Sequence, residues 1–275
     1  MRILDILEKG GPRGFLSHTL CYVNVNSRGK NAFNGMEKRI VLLSPGQISL
    51  LPQDAVAFVV SSGVHFHPSY FLSPGEDVLF RILPGEHLPE LLVEQGGFVS
   101  VSRRVKIFHP ISTGILTVSD KGSRGEREDT SGPALAALVR RLGATVDAML
   151  TVPDEEEAIT GVLTEWSDKK RFHLILATGG TGFSRRDVTP EALAKVAEKD
   201  VPGIGEAMRS ASMRITPKAV LSRGGAVIRG ETLILALPGS ERAASECFSV
   251  IAPALRHGIE ILCGWDSECG SRHVR

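Results

Sequence analysis

Net charge is what this chain most obviously lacks. Lys and Arg total 32 against 31 Asp and Glu, so no global field holds it on nucleic acid or an anionic membrane, and any anion site must be local. Cysteine is scarce as well: Cys21, Cys247, Cys263 and Cys269 are too few and too scattered for a disulfide framework. No apolar run approaches the roughly 18 residues of a membrane span. The N-terminal MRILDILEKGG carries Asp5 and Glu8 inside its apolar stretch, unlike a secretory signal. A cytoplasmic location is expected, with neither membrane nor nucleic acid as partner.

What is present is a core-forming composition, 42% hydrophobic with 29 glycines, in a chain of 275 residues. Domains cluster near roughly 100 to 150 residues, so two are expected. Residues 1–110 show short β-branched or alternating runs (21–25, 39–43, 78–83, 98–107) between SPG, SPGE and LPGE turns, the pattern of a small β-rich domain. Helices are expected within it at Pro52 to Ser61 and near His87 to Glu94.

From Thr113 the rhythm becomes strand, glycine-rich loop, helix. Strands are read at 114–118, 145–152 and 172–178, and a two-stranded hairpin at 225–237 turning at Arg229-Gly230-Glu231. Ser131 is read as the N-cap of a helix running to Leu142 and stopped by Gly143. Asp154 and Glu157 have the spacing of a capping box. Thr189-Pro190 is read as capping a helix to about Lys199, VPGIGEAMRSASM as another, and the stretch from Pro238 as closing helices with a bend at Pro253. This alternation predicts a three-layer α/β domain at 111–264, with a mostly parallel sheet and helices on both faces, then a polar tail at 265–275. Cys263 and Cys269, with His273, match no zinc spacing, and the stretch CGWDSECGSRHVR that holds them is read as a frayed polar end.

Ligands of such sheets sit beyond the carboxyl ends of the strands. Four strand exits are unusually loaded: SDKGSRGEREDTSGP (119–133), VPDEEE (152–157), TGGTGFSRRD (178–187) and LPGSE (237–241). Glycines 179, 180 and 182 let the backbone approach a phosphate, with Thr178 and Thr181 as hydroxyl donors. The run has neither the Walker A nor the GxGxxG pattern, and taken alone it fits a tight turn equally well. Arg185, Arg186 and Asp187 add what Mg²⁺-bound polyphosphate requires, though a solvated loop would also carry them. By position alone, Asp154 reads as a helix cap, and Asp120 and Asp129 as turn formers.

Taken in order, TVSDKGSRGEREDTSGPAL, VPDE, LATGGTGFSRRDVTPEAL, PGIGEAMR, LSRGGAVIRGETLILALPGS and PALRHGIEIL resemble the molybdopterin adenylyltransferase family, the MogA/MoaB type also found as the G domain of plant and animal molybdenum-cofactor proteins. The resemblance covers roughly residues 112–264. It implies Mg²⁺-dependent transfer of AMP from ATP to the terminal phosphate of molybdopterin, with release of pyrophosphate before metal insertion. It further implies that Asp154 and Asp187 are the essential acids, and that Thr178, Gly179, Gly180, Thr181 and Gly182 bind phosphate or pterin. From the chemistry of such a transfer, Asp187 and Asp154 are expected to position Mg²⁺ on the ATP phosphates, and Arg185 or Arg186 to screen the incoming phosphate. Ser119, Asp120, Asp129, Ser131 and Gly132 would line the first loop, and Ser222, Arg223, Pro238, Gly239 and Ser240 would close the pocket. A homotrimer or hexamer, and a molybdenum-insertion enzyme as partner, are the expected associations.

Glu241 departs from the family, whose members often have proline or a small or basic residue there. It places a negative charge beside an anion site, or else simply complements a helix dipole. Two other readings stay open: a nucleotide pyrophosphohydrolase of the CinA type, and a molybdopterin carrier without turnover. In the first domain, residues 46–80 faintly resemble the MOSC module. No cysteine lies between Cys21 and Cys247, which argues against sulfur transfer. His65 and His67 lack a nearby third ligand and read as polar surface.

Overall fold

The computed structural model describes residues 3–9, 15–18, 20–26, 29–61, 69–74, 78–85, 88–101 and 106–265. The chain divides into two units, Met1–Pro110 and Ile111–Arg275. His65, His67, Cys269 and His273 lie outside the described residues.

The first unit is built from strands β1 Ile3–Lys9, β2 Phe15–Ser17, β3 Leu20–Val25, β4 Asn31–Phe33, β5 Met36–Glu37, β6 Arg39–Leu43, β7 Ala55–Val60, β8 Phe71–Ser73, β9 Leu79–Leu83, β10 Glu90–Gln95, β11 Gly97–Ser100 and β12 Lys106–Phe108. They form one sheet of order β12-β8-β9-β10-β6-β7-β1-β2 and another of order β11-β3-β4-β5. Val23, Phe33 and Val99 of the small sheet share a core with Phe58, Phe80 and Leu91 of the large one. The Asn31 side chain links the two, donating to Leu91 O at 2.6 Å and accepting from Val93 N at 2.9 Å.

Both helices expected here are strands. AVAFVV is β7, with every residue buried between β6 and β1. A six-residue run of Val, Ala and Phe is too short to nucleate a helix but suits a central strand covered on both faces. β10 alternates, with Leu91 and Val93 buried and their neighbours partly exposed, which is the period of a strand.

The second unit runs β13 Ile111–Val118, α1 Asp120–Ser123, α2 Ser131–Arg140, β14 Ala144–Val152, α3 Glu156–Thr164, β15 Leu174–Thr178, α4 Thr189–Val196, β16 Lys199–Asp200, α5 Pro202–Met213, β17 Gly225–Arg229, β18 Thr232–Leu237 and α6 Glu241–Leu262. Its sheet has the order β14-β13-β15-β18-β17-β16. The first four strands are parallel, and the β17 hairpin and β16 add antiparallel pairings. Successive residues of β15 face opposite layers. Leu174 and Leu176 join Leu135, Phe248 and Leu255 of α2 and α6, while Ile175 and Ala177 join Ile159, Leu163 and Leu193 of α3 and α4. Alternating sides buried in this way explain why the strand reads as continuously apolar.

Several helix ends differ from expectation. α2 ends at Arg140 and α4 at Val196. The closing segment is a single helix with Pro253 inside it. The caps differ for a shared reason: the side chains expected to cap helices are used to tie loops together, as set out below.

Candidate active site

Four parallel strands, β13, β14, β15 and β18, end on one edge of the sheet, and their exit loops are stitched to one another. Thr178 Oγ1 donates to Pro238 O at 2.7 Å and Gly179 N to Leu237 O at 3.1 Å, joining the exits of β15 and β18. Ser131 Oγ donates to Gly239 O at 3.1 Å, drawing the start of α2 against the same point. Thr189 Oγ1 donates to Gly179 O at 2.7 Å. Gly179 has φ +111°, and a Cβ there would lie 2.2 Å from Val118 O. Gly180 has φ +61°, and its Cβ would lie 2.5 Å from Thr189 Oγ1. The left-handed conformation demands glycine at both positions, reinforced at Gly179 by the close approach of the Val118 backbone and at Gly180 by the Thr189 side chain. The N–H groups of Gly180, Thr181 and Gly182 donate to no protein acceptor among the described residues, so they remain available to a ligand anion.

The carboxylates of these loops have different states. Asp129 spends both oxygens on the protein, accepting from Thr117 Oγ1 at 2.6 Å and from Gly132 N at 2.9 Å. It supplies the side-chain cap of α2, whereas the residue at the N-cap position is Thr130, not Ser131. Asp120 pairs with Arg186, whose hydrogen bond holds the Asp120 carboxyl below the usual carboxylate range. Asp154 does not cap α3. Glu155 occupies that position, and Asp154 Oδ2 instead accepts from Asp120 N at 2.8 Å. Burial pushes the Asp154 carboxyl up, and the nearby Asp120 and Asp187 carboxylates add to the rise, against the Asp120 N–H that lowers it. Asp187 accepts from Ser184 N through Oδ2 at 2.8 Å. Asp154 and Asp187 thus each keep one oxygen, Oδ1, without a hydrogen-bond donor among the described residues.

The cations divide similarly. Arg223 does not face a pocket as a free donor. Its Nε donates to Gly182 O at 2.8 Å, its Nη2 to Asp187 O and its Nη1 to Glu191, so it braces the loop that carries Asp187. Thr178, Ser119 and Ser240 likewise use their side-chain oxygens internally: Ser119 accepts from Gly122 N at the start of α1, and Ser240 from Ala243 N at the start of α6. Arg185 is exposed and makes no hydrogen bond or ion pair among the described residues.

Two cavities open between these loops. One, of about 520 Å³, is lined by Ser119, Arg127, Asp129, Asp154 and Glu241. The other, of about 540 Å³, is lined by Asp187, Ser222 and Pro238, and by an apolar wall of Phe183, Met208, Ile215 and Leu221. Gly180 and Gly239 line both. The sequence reading missed that apolar wall together with Arg127, Ser212 and Lys218. Phe183 of that wall is large and apolar yet 70% exposed, which only the structure shows. Among the described residues no group of three or more His, Cys, Asp or Glu could hold a metal ion, and no helix is long and apolar enough to cross a membrane.

A sheet of this order, with paired cavities at its parallel strand ends, defines an α/β ligand-binding domain of the MogA/MoaB type. The structure of the molybdopterin biosynthesis enzyme MoaB from Thermus thermophilus matches it with a TM-score of 0.52 and 46% identity, over 56% of this chain and 97% of that one. The family described as "Probable molybdopterin binding domain" matches residues 114–257, and the chain belongs to it. The molybdopterin adenylyltransferase of Helicobacter pylori strain J99 is 38% identical over 167 residues, covering 60% of this chain and 95% of that protein. The molybdenum cofactor synthesis protein cinnamon of Drosophila melanogaster is 42% identical over 153 residues, or 55% of this chain, which spans only 26% of that protein's length.

Proposed function

We propose that the second unit is a molybdopterin adenylyltransferase of molybdenum-cofactor biosynthesis, transferring AMP from ATP to the terminal phosphate of molybdopterin with Mg²⁺. One observation carries the reading: two cavities, one bearing Asp154 and the other Asp187, adjoin at Gly180 and Gly239. A two-substrate transfer needs both ligands held at once with their reacting atoms at a common wall. A terminal phosphate oxygen of molybdopterin would attack the α-phosphorus of ATP. The bond from that phosphorus to the bridging oxygen breaks, and its electron pair leaves with pyrophosphate. Since the substrate brings its own nucleophile, the protein has to align two anions and neutralise charge.

The residues present fit Mg²⁺. Asp154 and Asp187 each offer one uncommitted oxygen, and a half-buried carboxylate with acidic neighbours, as Asp154 is, is relieved by a divalent cation. With no group of three His, Cys, Asp or Glu among the described residues to enclose the ion, substrate phosphates and water would complete the shell, as Mg²⁺ prefers. When bound, the ion would offset negative charge on the nucleotide phosphates. The free N–H groups of Gly180, Thr181 and Gly182 suit phosphate oxygens, and the unpaired Arg185 suits the approaching molybdopterin phosphate.

The test is incubation with Mg²⁺-ATP with and without molybdopterin, following pyrophosphate and adenylylated pterin. Pyrophosphate release that depends on molybdopterin supports transfer. Release without pterin would mean hydrolysis, and tight pterin binding without turnover would mean a carrier; either result rejects the proposal. For the first unit we retain the reading of a degenerate binding or regulatory module of MOSC type. Loss of ligand binding with intact transfer on deleting residues 1–108 would support it.

A further inference from the structure

Arg186 has no part in the transfer chemistry set out above. It belongs to the loop after β15, yet its donors turn to the exit of β13. Its Nε donates to Asp120 Oδ2 at 3.0 Å, and its Nη2 to Asp120 Oδ1 and Oδ2 at 2.6 and 2.7 Å. Asp120 in turn holds the exit of β14 through two reciprocal bonds. Asp120 N donates to Asp154 Oδ2 at 2.8 Å, and Asp154 N donates to Asp120 Oδ1 at 3.1 Å. Loops from three parallel strands therefore meet at the Asp120 carboxylate. The bond to Oδ2 fixes the rotation of the Asp154 carboxylate and directs Oδ1 toward Gly180, where a Cβ would lie 3.3 Å from it. Without the guanidinium, Asp120 would keep only Arg124, which makes no hydrogen bond to it, to offset its negative charge beside the backbone turn that orders Asp154. Lysine could neutralise that charge but not reproduce the two-nitrogen grip.

We propose that the Arg186–Asp120 pair is a positioning latch for Asp154, and that Arg186 acts through this pair rather than by touching a substrate phosphate. The proposal rests on the adenylyltransferase reading for its kinetic arm, while its binding arm stands apart. It also separates two neighbours in sequence: Arg185 is free to meet an anion, and Arg186 is committed.

The experiment is a cycle of Arg186→Gln, Asp120→Asn and the double variant, in the full chain, with Arg186→Lys as the conservative substitution. Circular dichroism checks folding, which the 57% exposure of the Arg186 side chain favours. Calorimetry gives the Mg²⁺ concentration for half-maximal ATP binding, and kinetics give KM for molybdopterin and kcat. A latch predicts that each single variant raises the Mg²⁺ requirement by about three- to tenfold, the range for a partly exposed bidentate pair. It predicts that the double variant is no worse than either single, that Arg186→Lys recovers part of the loss, and that KM for molybdopterin stays within about twofold. Multiplicative losses in the double variant, or a raised KM for molybdopterin with an unchanged Mg²⁺ requirement, would overturn the latch and make Arg186 a phosphate ligand. If the wild-type protein transfers no AMP while the binding cycle is non-additive, the adenylyltransferase reading fails and the latch stands. Transfer together with an additive cycle sinks the latch alone.

Discussion

The two cavities share Gly180 and Gly239 and are otherwise built from different material. The cavity that reaches the exits of β13 and β14 is walled by polar and charged side chains, with Asp154 and Arg127 from loops and Glu241 from the start of α6 among them. The one beyond β15 and β18 has Asp187 at its edge, but its far wall is apolar, supplied by Phe183 on the loop, Met208 on α5, and Ile215 and Leu221 in the stretch between α5 and β17. A polar recess beside an apolar one suits two ligands of unlike chemistry, whereas a single elongated ligand would need no double-sided ridge of glycines between them. The paired acids differ in the same way: Asp154 is pushed up by burial and tied to Asp120, while Asp187 is held by its own loop turn and by Arg223 behind it.

The strongest way to break this comparison is to remove the acids one at a time. Asp187→Asn and Asp154→Asn should each slow AMP transfer by about 100-fold or more, the scale seen when a preorganised charge is removed from a site, with circular dichroism unchanged. Near wild-type transfer in a folded double variant would show that the acids do not act together. Next in size is the shared ridge. Gly180→Ala forces a Cβ to within 2.5 Å of Thr189 Oγ1 in a left-handed conformation, which should cost about 1–3 kcal/mol in urea unfolding and impair both ligands.

A finer contrast comes from one change in each cavity. Phe183→Ala should raise KM for one substrate about fivefold, as loss of a stacking face does. Glu241→Gln removes a negative charge from the other cavity and should lower KM for the other substrate by about two- to threefold. If both variants move the same KM, the cavities do not hold separate ligands. The smallest effect is expected away from both. The Asp168–Arg229 pair links the segment after α3 to β17, and the Arg229 hydrogen bond holds the Asp168 carboxyl below its ordinary range. Its stabilisation is therefore present above the unfolded-state value and is lost as pH falls through the folded one. Because Asp168 is largely exposed, Asp168→Asn should cost below about 1 kcal/mol at neutral pH, with a still smaller difference in acid and with transfer unaffected.

The polar cavity was largely legible in the sequence, because its residues sit in short loops between strong strand signals. Ser119, Asp129, Asp154, Gly179 and Gly239 all come to one edge through the parallel order of β14, β13, β15 and β18. The apolar wall was not legible, because Met208 and Ile215 follow the same spacing as core residues, and only the tertiary packing of α5 leaves them beside an opening. Partner choice was hidden for a related reason. Nothing local distinguishes Arg185 from Arg186, and only the approach of the β13 exit loop commits one of them to Asp120. Asp154 looked like a helix cap because it stands just before α3, yet a backbone N–H thirty-four positions earlier in the chain claims its carboxylate. In the first unit, β7 and β10 were misread because both runs are short. Val content and burial on two faces decide for strand in β7, and the alternate burial of Leu91 and Val93 decides for it in β10.

The most direct test of two adjoining ligand sites is calorimetric titration of molybdopterin into protein saturated with Mg²⁺ and a non-hydrolysable ATP analogue. Two separate cavities predict one molybdopterin bound per chain, with an affinity within about tenfold of that for the nucleotide-free protein. Displacement of the analogue in proportion to bound pterin would show that the two ligands compete for one place, and would contradict the account.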